Sequence, residues 1–255
     1  SQGVLRGVGL GVALLAGGFF LDLWMPLPFV VAGSLLLVTT LALAPVTRLQ
    51  RRVPQEAPIM MSVREVMRSK GMRTFAAANA LLELGFAGLR SFIVLYVTKG
   101  LGHSTRVAAA VIGVVAVAYI AGAPLASLLE KRFGIIAVMT WSGVVYGVGL
   151  TAGAVPTSLG PELVLLPFVA LAGSVLLTLP QALAFLVAPR GSEGVAAGLV
   201  DVSRGAGIVL GPLIVGWAVR FSDGLFSATH GYAALWPVIG IATLAAVPLL
   251  RRLQV

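Results

Sequence analysis

The chain has 255 residues, of which 58% are hydrophobic and 11% are charged, and its mean hydropathy is +1.02. Soluble domains carry about 25% charged residues, so this composition excludes a water-soluble globular protein and indicates helices surrounded by lipid. The net charge of +9 does not indicate a nucleic-acid partner, because the basic residues are concentrated in short loops between apolar runs, as membrane topology requires.

Apolar runs of roughly 20 residues, long enough to cross a bilayer as helices, recur along the whole chain. In order, they cover residues 4–21, 28–46, 74–98, 107–129, 134–155, 163–188, 195–221 and 232–250. Pro156 closes the fifth run, whereas Pro167 and Pro180 interrupt the sixth. The pattern predicts an all-α, polytopic transmembrane bundle of about eight helices, with the lipid bilayer as its main partner.

One long polar stretch, residues 47–73, follows the second run and carries seven Lys and Arg residues. If this stretch is cytoplasmic, the inner loops and tail carry twelve basic residues and the outer loops carry three, Lys99, Arg106 and Arg220. This distribution agrees with the positive-inside rule, so we expect both termini to be cytoplasmic. Within the stretch, residues 62–70 are interpreted as a solvated connector, with a short amphipathic helix on the membrane as the alternative.

A short motif is repeated near the two ends of the chain. The first run begins Arg6-Gly7-Val8-Gly9 and the seventh contains Arg204-Gly205-Ala206-Gly207; Gly18 and Gly216 follow at the same offset of 198 residues. A shared motif at one offset indicates two related structural units, separated by the long basic stretch.

The seventh run, from Arg204 to Gly216, resembles the eleventh helix of major facilitator superfamily transporters, and the first run resembles their fifth helix. By this register the chain contains the equivalents of helices five to twelve. The resemblance implies a partial major-facilitator fold: residues 1–46 would form the last two helices of the N-terminal bundle, residues 47–73 the basic cytoplasmic central loop, and residues 74–255 the C-terminal six-helix bundle. Helices one to four, or a partner chain, would complete it.

Within that superfamily, three segments are similar to bacterial members near the sucrose-transporter-like branch: residues 90–102, Leu179-Pro180 and Ser203-Arg204-Gly205. This similarity implies a bacterial inner (plasma) membrane. Two departures narrow what the family implies. Ala13-Leu14 stand where the antiporter signature has Gly-Pro, so that motif does not support a drug/proton antiporter, although a symporter or another antiporter stays open. Lys131-Arg132-Phe133-Gly134 replaces the usual Asp-Arg-x-Gly turn, with the acidic residue displaced to Glu130, so a conformational latch on that aspartate is not supported.

Polar residues form a stripe on the third run. One helical face carries Asn79, Glu83, Phe86 and Arg90. Charged residues inside a membrane span are candidates for function, because burying them costs free energy. Glu83 lies near the midplane and is our candidate for proton coupling, with neutralisation of an arginine as the equally weighted alternative. The resembled helix lines the central cavity, which makes Asn79 and Arg90 substrate-cavity candidates.

Asp201 and Arg204 form a second candidate charge pair inside the seventh run, three residues apart. We interpret the pair as a clamp that fixes the bundle, and contact between Arg204 and Glu83 is the alternative. Helix packing is predicted for four residues of the same run, Gly207, Gly211, Pro212 and Gly216. Gln181, after the break at Pro180, is a further substrate-cavity candidate.

Enzyme signatures are absent from the sequence. There is no cysteine, both histidines fall in predicted loops, and neither a nucleophile elbow nor a dinucleotide-binding motif with its preceding strand occurs. We therefore expect no enzymatic activity, cofactor or metal. The sequence favours secondary transport of a small solute by alternating access, coupled to protons. A non-transporting membrane scaffold or sensor subunit is the alternative, and an intramembrane enzyme ranks below both.

Overall fold

A computed structural model describes Trp24 and residues 26–50, 63–156 and 158–253, and this part of the chain is all-α. Its α-helices are α1 (Leu27–Gln50), α2 (Val63–Arg68), α3 (Lys70–Leu95), α4 (Thr105–Phe133), α5 (Ile135–Ala152), α6 (Leu159–Thr178), α7 (Pro180–Val187), α8 (Glu193–Phe221) and α9 (Leu235–Arg251). A π-helical turn, Tyr96–Gly100, extends α3, and the 3₁₀ turns Ser227–Thr229 and Tyr232–Ala234 precede α9.

Six of the described helical segments are long and apolar enough to cross a membrane: Lys70–Gly100, Thr105–Phe133, Ile135–Ala152, Leu159–Val187, Glu193–Phe221 and Tyr232–Arg251. They coincide with the last six predicted spans. The prediction of an all-α, polytopic membrane protein is therefore confirmed. The first predicted span, with Arg6, Ala13 and Gly18, lies outside the described residues.

The helix boundaries agree with the predicted break at Pro180, but they differ from the prediction at the start of α3 and at Pro167. α3 begins at Lys70 rather than at residue 74, because basic residues continue a helix readily into the interfacial region. The sixth predicted span is divided into α6 and α7 at Pro180, whose missing N–H and ring disrupt the helical hydrogen bonds. Pro167, in contrast, lies inside α6 without ending it.

The two helices before α3 have different environments. The apolar part of α1, Phe29–Leu43, is exposed along most of its length, as expected of a helix whose surroundings are lipid or further helices. Residues 63–68, part of the predicted connector, form the short helix α2, and Val66 is buried against the bundle.

The bundle is arranged around α3, which packs most extensively on α8 and α9. α9 also packs on α5, and α4 and α5 both pack on α6. Residues 82–88 of α3 are all buried, so the middle of α3 is surrounded by protein. One face of α8 is exposed and apolar, with Val202, Val209 and Trp217 among its residues.

Candidate functional site

Glu83 lies in the buried middle of α3, with only 5% of its surface exposed. Its two carboxylate oxygens contact different arginines. Oε2 accepts from Nη2 of Arg90 at 3.4 Å, and Oε1 accepts from Nε of Arg204, on α8, at 3.0 Å. Arg90 lies seven residues after Glu83, about two turns along the same face of α3. A buried carboxylate without cations would be strongly unfavourable, so the arginines account for its stability as an anion.

The ion pairs continue from Glu83 to the protein surface. Nη1 of Arg204 donates to Oδ1 of Asp201 at 3.1 Å, which gives a charge network of Arg90, Glu83, Arg204 and Asp201. The side chains of Asp201 and Arg90 are 74% and 61% exposed, whereas that of Glu83 is 7% exposed. The two carboxylates and the two guanidinium groups have a net charge of zero when all four are ionised, so a proton added to Glu83 would give the network a net charge of one positive unit.

The structure thus places Arg204 in contact with both of the partners considered for it. It is bonded to Asp201 within α8 and to Glu83 across the helix interface. The second contact needs α3 and α8 to lie very close together, which spacing along the sequence does not reveal.

Asn79 lies one turn before Glu83 on α3 and is also buried against α8. Its Nδ2 donates to Oγ of Ser203 at 2.8 Å and to the carbonyl oxygen of Val200 at 3.4 Å. Its Oδ1 is buried and has no hydrogen-bond partner among the described residues. A buried amide oxygen without a partner is costly, so Asn79 holds an acceptor that the described residues leave unsatisfied.

Two glycines of α8 allow the approach between α8 and α3. A Cβ atom at Gly207 would lie 2.6 Å from the backbone nitrogen of Leu84, and one at Gly211 would lie 2.5 Å from the Leu84 carbonyl oxygen. Neither distance is sterically possible, so both positions require glycine. Gly216 packs more loosely, since a Cβ there would lie 3.3 Å from the ring of Phe92. Pro212 lies within α8 without ending it.

The other predicted site residues are arranged differently. Phe86 of the polar stripe is buried and packs its ring 5.3 Å from that of Tyr146, whose hydroxyl lies 3.0 Å from that of Tyr119. Gln181 is half-buried near the start of α7 and makes no hydrogen bond to any described residue. The structure therefore brings together Asn79, Glu83, Arg90, Asp201 and Arg204, but not Gln181.

A second buried carboxyl group, Glu162, was not among the residues predicted from the sequence. It lies in the first turn of α6, is 2% exposed, and accepts a hydrogen bond from the hydroxyl of Tyr96 at the end of α3. Tyr96 in turn packs edge-to-face on Trp236 of α9, with ring centroids 5.3 Å apart. The available sequence signal was an acidic residue directly after Gly160-Pro161 and immediately before the sixth apolar run. The contact joins the ends of α3, α6 and α9.

Tyr96→Phe is expected to lower the free energy of unfolding by about 1–3 kcal/mol, because it removes the hydroxyl that donates to a buried carboxyl group and leaves that group without its partner. The double substitution Tyr96→Phe with Glu162→Met should recover most of the loss, since replacing both polar partners by apolar groups can be nearly neutral. Thermal unfolding of the detergent-solubilised protein measures both. Equal destabilisation by the single and double variants would contradict this account of Glu162.

Among the described residues, no group of three or more His, Asp or Glu side chains is arranged to hold a metal ion. The network instead consists of two carboxylates and two guanidinium groups, and the Asn79 amide lies one turn away from it on α3.

Comparison with known proteins adds no family assignment. No protein-family model matches the chain, and no curated protein matches it significantly. The sequence and the structure together establish an integral membrane protein with six candidate spans in its described part.

Proposed function

We propose that the protein is a secondary active transporter that moves a small solute across a membrane by alternating access. The observation that carries the proposal is the charge network, in which Glu83, buried in the middle of a membrane-spanning helix, is linked through Arg204 to the exposed Asp201. Ionisable side chains inside membrane spans are costly, and they typically mark solute, ion or proton pathways.

The position of the network supports the same proposal. It lies between α3 and α8, which in the major-facilitator register correspond to helices seven and eleven. Transporters of this kind bind solute near the bilayer midplane and rock two helical bundles around that site. In this proposal, Arg90 contacts the solute because its side chain is 61% exposed. The buried Asn79 oxygen, which lacks a hydrogen-bond partner among the described residues, would reach the solute only when α3 and α8 separate during the transport cycle.

Proton coupling follows from the charge balance. While Glu83 is ionised, it attracts Arg204 and holds α8 against α3. A proton on Glu83 removes that attraction, and Arg204 then retains only the exposed Asp201. The free energy of the α3–α8 contact would therefore depend on protonation, which is how a proton gradient can bias one conformation over another. The proposed location of the protein is a bacterial plasma membrane, with both termini in the cytoplasm.

A structural role is the second candidate, and one observation favours it. Both oxygens of Glu83 are occupied by arginines, as expected of a clamp that joins two helices in a membrane scaffold or sensor subunit. We rank an intramembrane enzyme below both, because the sequence contains no cysteine and no nucleophile-elbow motif.

Proton-coupled uptake by the complete gene product in proteoliposomes tests the transport proposal. The vesicles would carry a pH-sensitive dye and receive a panel of sugars and cationic drugs. Solute-dependent proton movement is expected for at least one class, which would also identify the solute. No movement with any solute, from protein shown to be folded by circular dichroism, would favour the scaffold or sensor function.

A further inference from the structure

A groove of about 630 Å³ lies at one end of the bundle, between the α4–α5 turn and the last turn of α9. It is separate from the Glu83 network. Its lining combines a helix N-terminus, one arginine, one threonine and two exposed aromatic rings: Phe133, Gly134, Ile135, Ile136, Ala137, Thr140, Trp141 and Arg251. Because α4 and α5 are consecutive spans, the turn between them lies at a membrane surface.

The start of α5 is an uncapped helix N-terminus. The backbone N–H groups of Ile135, Ile136 and Ala137 have no carbonyl one turn earlier within the helix. No side chain of the described residues caps them, and the first turn contains no acidic residue. Such a terminus carries a partial positive charge and favours an anion such as phosphate. Gly134, with φ of +81°, leaves open space beside these groups.

Thr140 supplies an independent indication of a ligand. It is only 5% exposed, it lines the groove, and its Oγ1 is buried with no hydrogen-bond partner among the described residues. Buried hydroxyl groups nearly always have a partner. Thr140 lies five residues into α5 from Ile135, about 7.5 Å along the helix axis, so the groove offers polar groups at two depths.

The surrounding charges favour an anion. Arg251 lines the groove, and Lys131, Arg132 and Arg252 are exposed at the adjacent ends of α4 and α9. Glu130, at the end of α4, is the opposing charge. The positive-inside distribution predicts that this end faces the cytoplasm, and basic pockets between spans on that side bind anionic lipid head groups.

We propose that this groove binds the head group of an anionic phospholipid. The phosphate would accept hydrogen bonds from the first turn of α5 and from Arg251, while a deeper glycerol or ester oxygen would bond to Thr140. Phe133 and Trp141, 57% and 66% exposed, would contact the acyl chains, as aromatic residues do at membrane interfaces. An elongated ligand with oxygen atoms at two depths and an apolar tail matches this groove better than a free phosphate ion.

The test is quenching of Trp141 fluorescence by lipids with brominated acyl chains, in vesicles that contain the complete protein. The chain has four tryptophans, so a Trp141→Phe variant defines the Trp141 signal. Brominated phosphatidylglycerol should quench that signal at much lower mole fraction than brominated phosphatidylcholine. Arg251→Gln should weaken this preference by about tenfold, the usual effect of losing a hydrogen bond to a charged group. Thr140→Val should raise the mole fraction of brominated phosphatidylglycerol needed for half-maximal quenching by up to about tenfold, because the lost bond is to an uncharged oxygen.

Arg220→Gln is the matched control, since Arg220 is exposed at the end of α8 and does not line the groove. Arg251 belongs to the last turn of α9, so its replacement also alters a helix end. Thr140→Val, which preserves side-chain shape, is therefore the deciding variant. Equal quenching by both lipids, or quenching by brominated phosphatidylglycerol that Thr140→Val leaves unchanged, would overturn the proposal. Displacement of the lipid by millimolar inorganic phosphate would also overturn it, because the site would then be one for a free anion.

Discussion

Glu83→Gln is expected to abolish the dependence of solute uptake on a proton gradient, while solute exchange without a gradient continues. The proposal of proton coupling depends on Glu83 changing between an ion-paired and a neutral form. Glutamine mimics the neutral form permanently, retains an oxygen that can accept a hydrogen bond from Arg204, and has nearly the same volume. Gradient-driven uptake in proteoliposomes should therefore fall to the level of protein-free vesicles, whereas counterflow should remain measurable.

The controls separate coupling from folding. Glu193→Gln neutralises an exposed carboxylate at the start of α8 that is not in the network, and it should leave gradient-driven uptake unchanged. The Glu83→Gln protein should unfold with a free energy lowered by about 1–3 kcal/mol, as expected for one altered buried polar contact. Unchanged gradient-driven uptake by folded Glu83→Gln protein would exclude Glu83 from coupling. Loss of both uptake and exchange would favour the structural clamp.

Gly211→Ala should strongly destabilise the α3–α8 interface. The added Cβ would lie 2.5 Å from the Leu84 carbonyl oxygen and 2.9 Å from the Gly88 backbone nitrogen, and backbone atoms cannot rotate away as a flexible side chain can. The helices must separate, which also lengthens the contact between Glu83 and Arg204. Overpacking typically costs about 1–3 kcal/mol, and rigid backbone contacts favour the upper part of that range.

Gly205→Ala provides the comparison on the same helix, because no atom lies within 4 Å of a Cβ at that position. It should leave the free energy of unfolding unchanged or raise it slightly, since alanine is the better helix former. Thermal or denaturant unfolding of the two variants in the same detergent measures the difference. Similar stability of the two proteins would mean that α3 and α8 are not in the close contact described here.

The fold class could be predicted from the sequence because lipid imposes a simple requirement. A span must be apolar over about 20 residues and must satisfy its backbone hydrogen bonds internally, and six predicted spans coincide with described helices. The break at Pro180 could also be predicted from the local sequence, since proline lacks the N–H that a continuous helix needs. The start of α3 at Lys70 was not predicted, because hydropathy does not distinguish a polar helix end from a polar loop.

The candidate site was only partly predictable. The intramembrane charges Glu83 and Arg204 were evident as charged residues in apolar runs, but their separation of 121 residues says nothing about contact. Glu162 was overlooked because it lies close to a turn, where an acidic residue is ordinary, and only burial against Tyr96 distinguishes it.

The sequence by itself determined that this chain is a helical membrane protein and which segments can span the bilayer. It also identified the charged and glycine residues that are candidates for function or helix packing. Composition and local periodicity suffice for that, because each span must be apolar enough for lipid whatever its neighbours are. Only the tertiary structure decided that Glu83 of α3 contacts Arg204 of α8 and that Gly207 and Gly211 permit the approach. It also decided that Thr140, near the uncapped start of α5, has no hydrogen-bond partner among the described residues. These depend on distances between helices far apart in sequence, which are set by packing of the whole bundle.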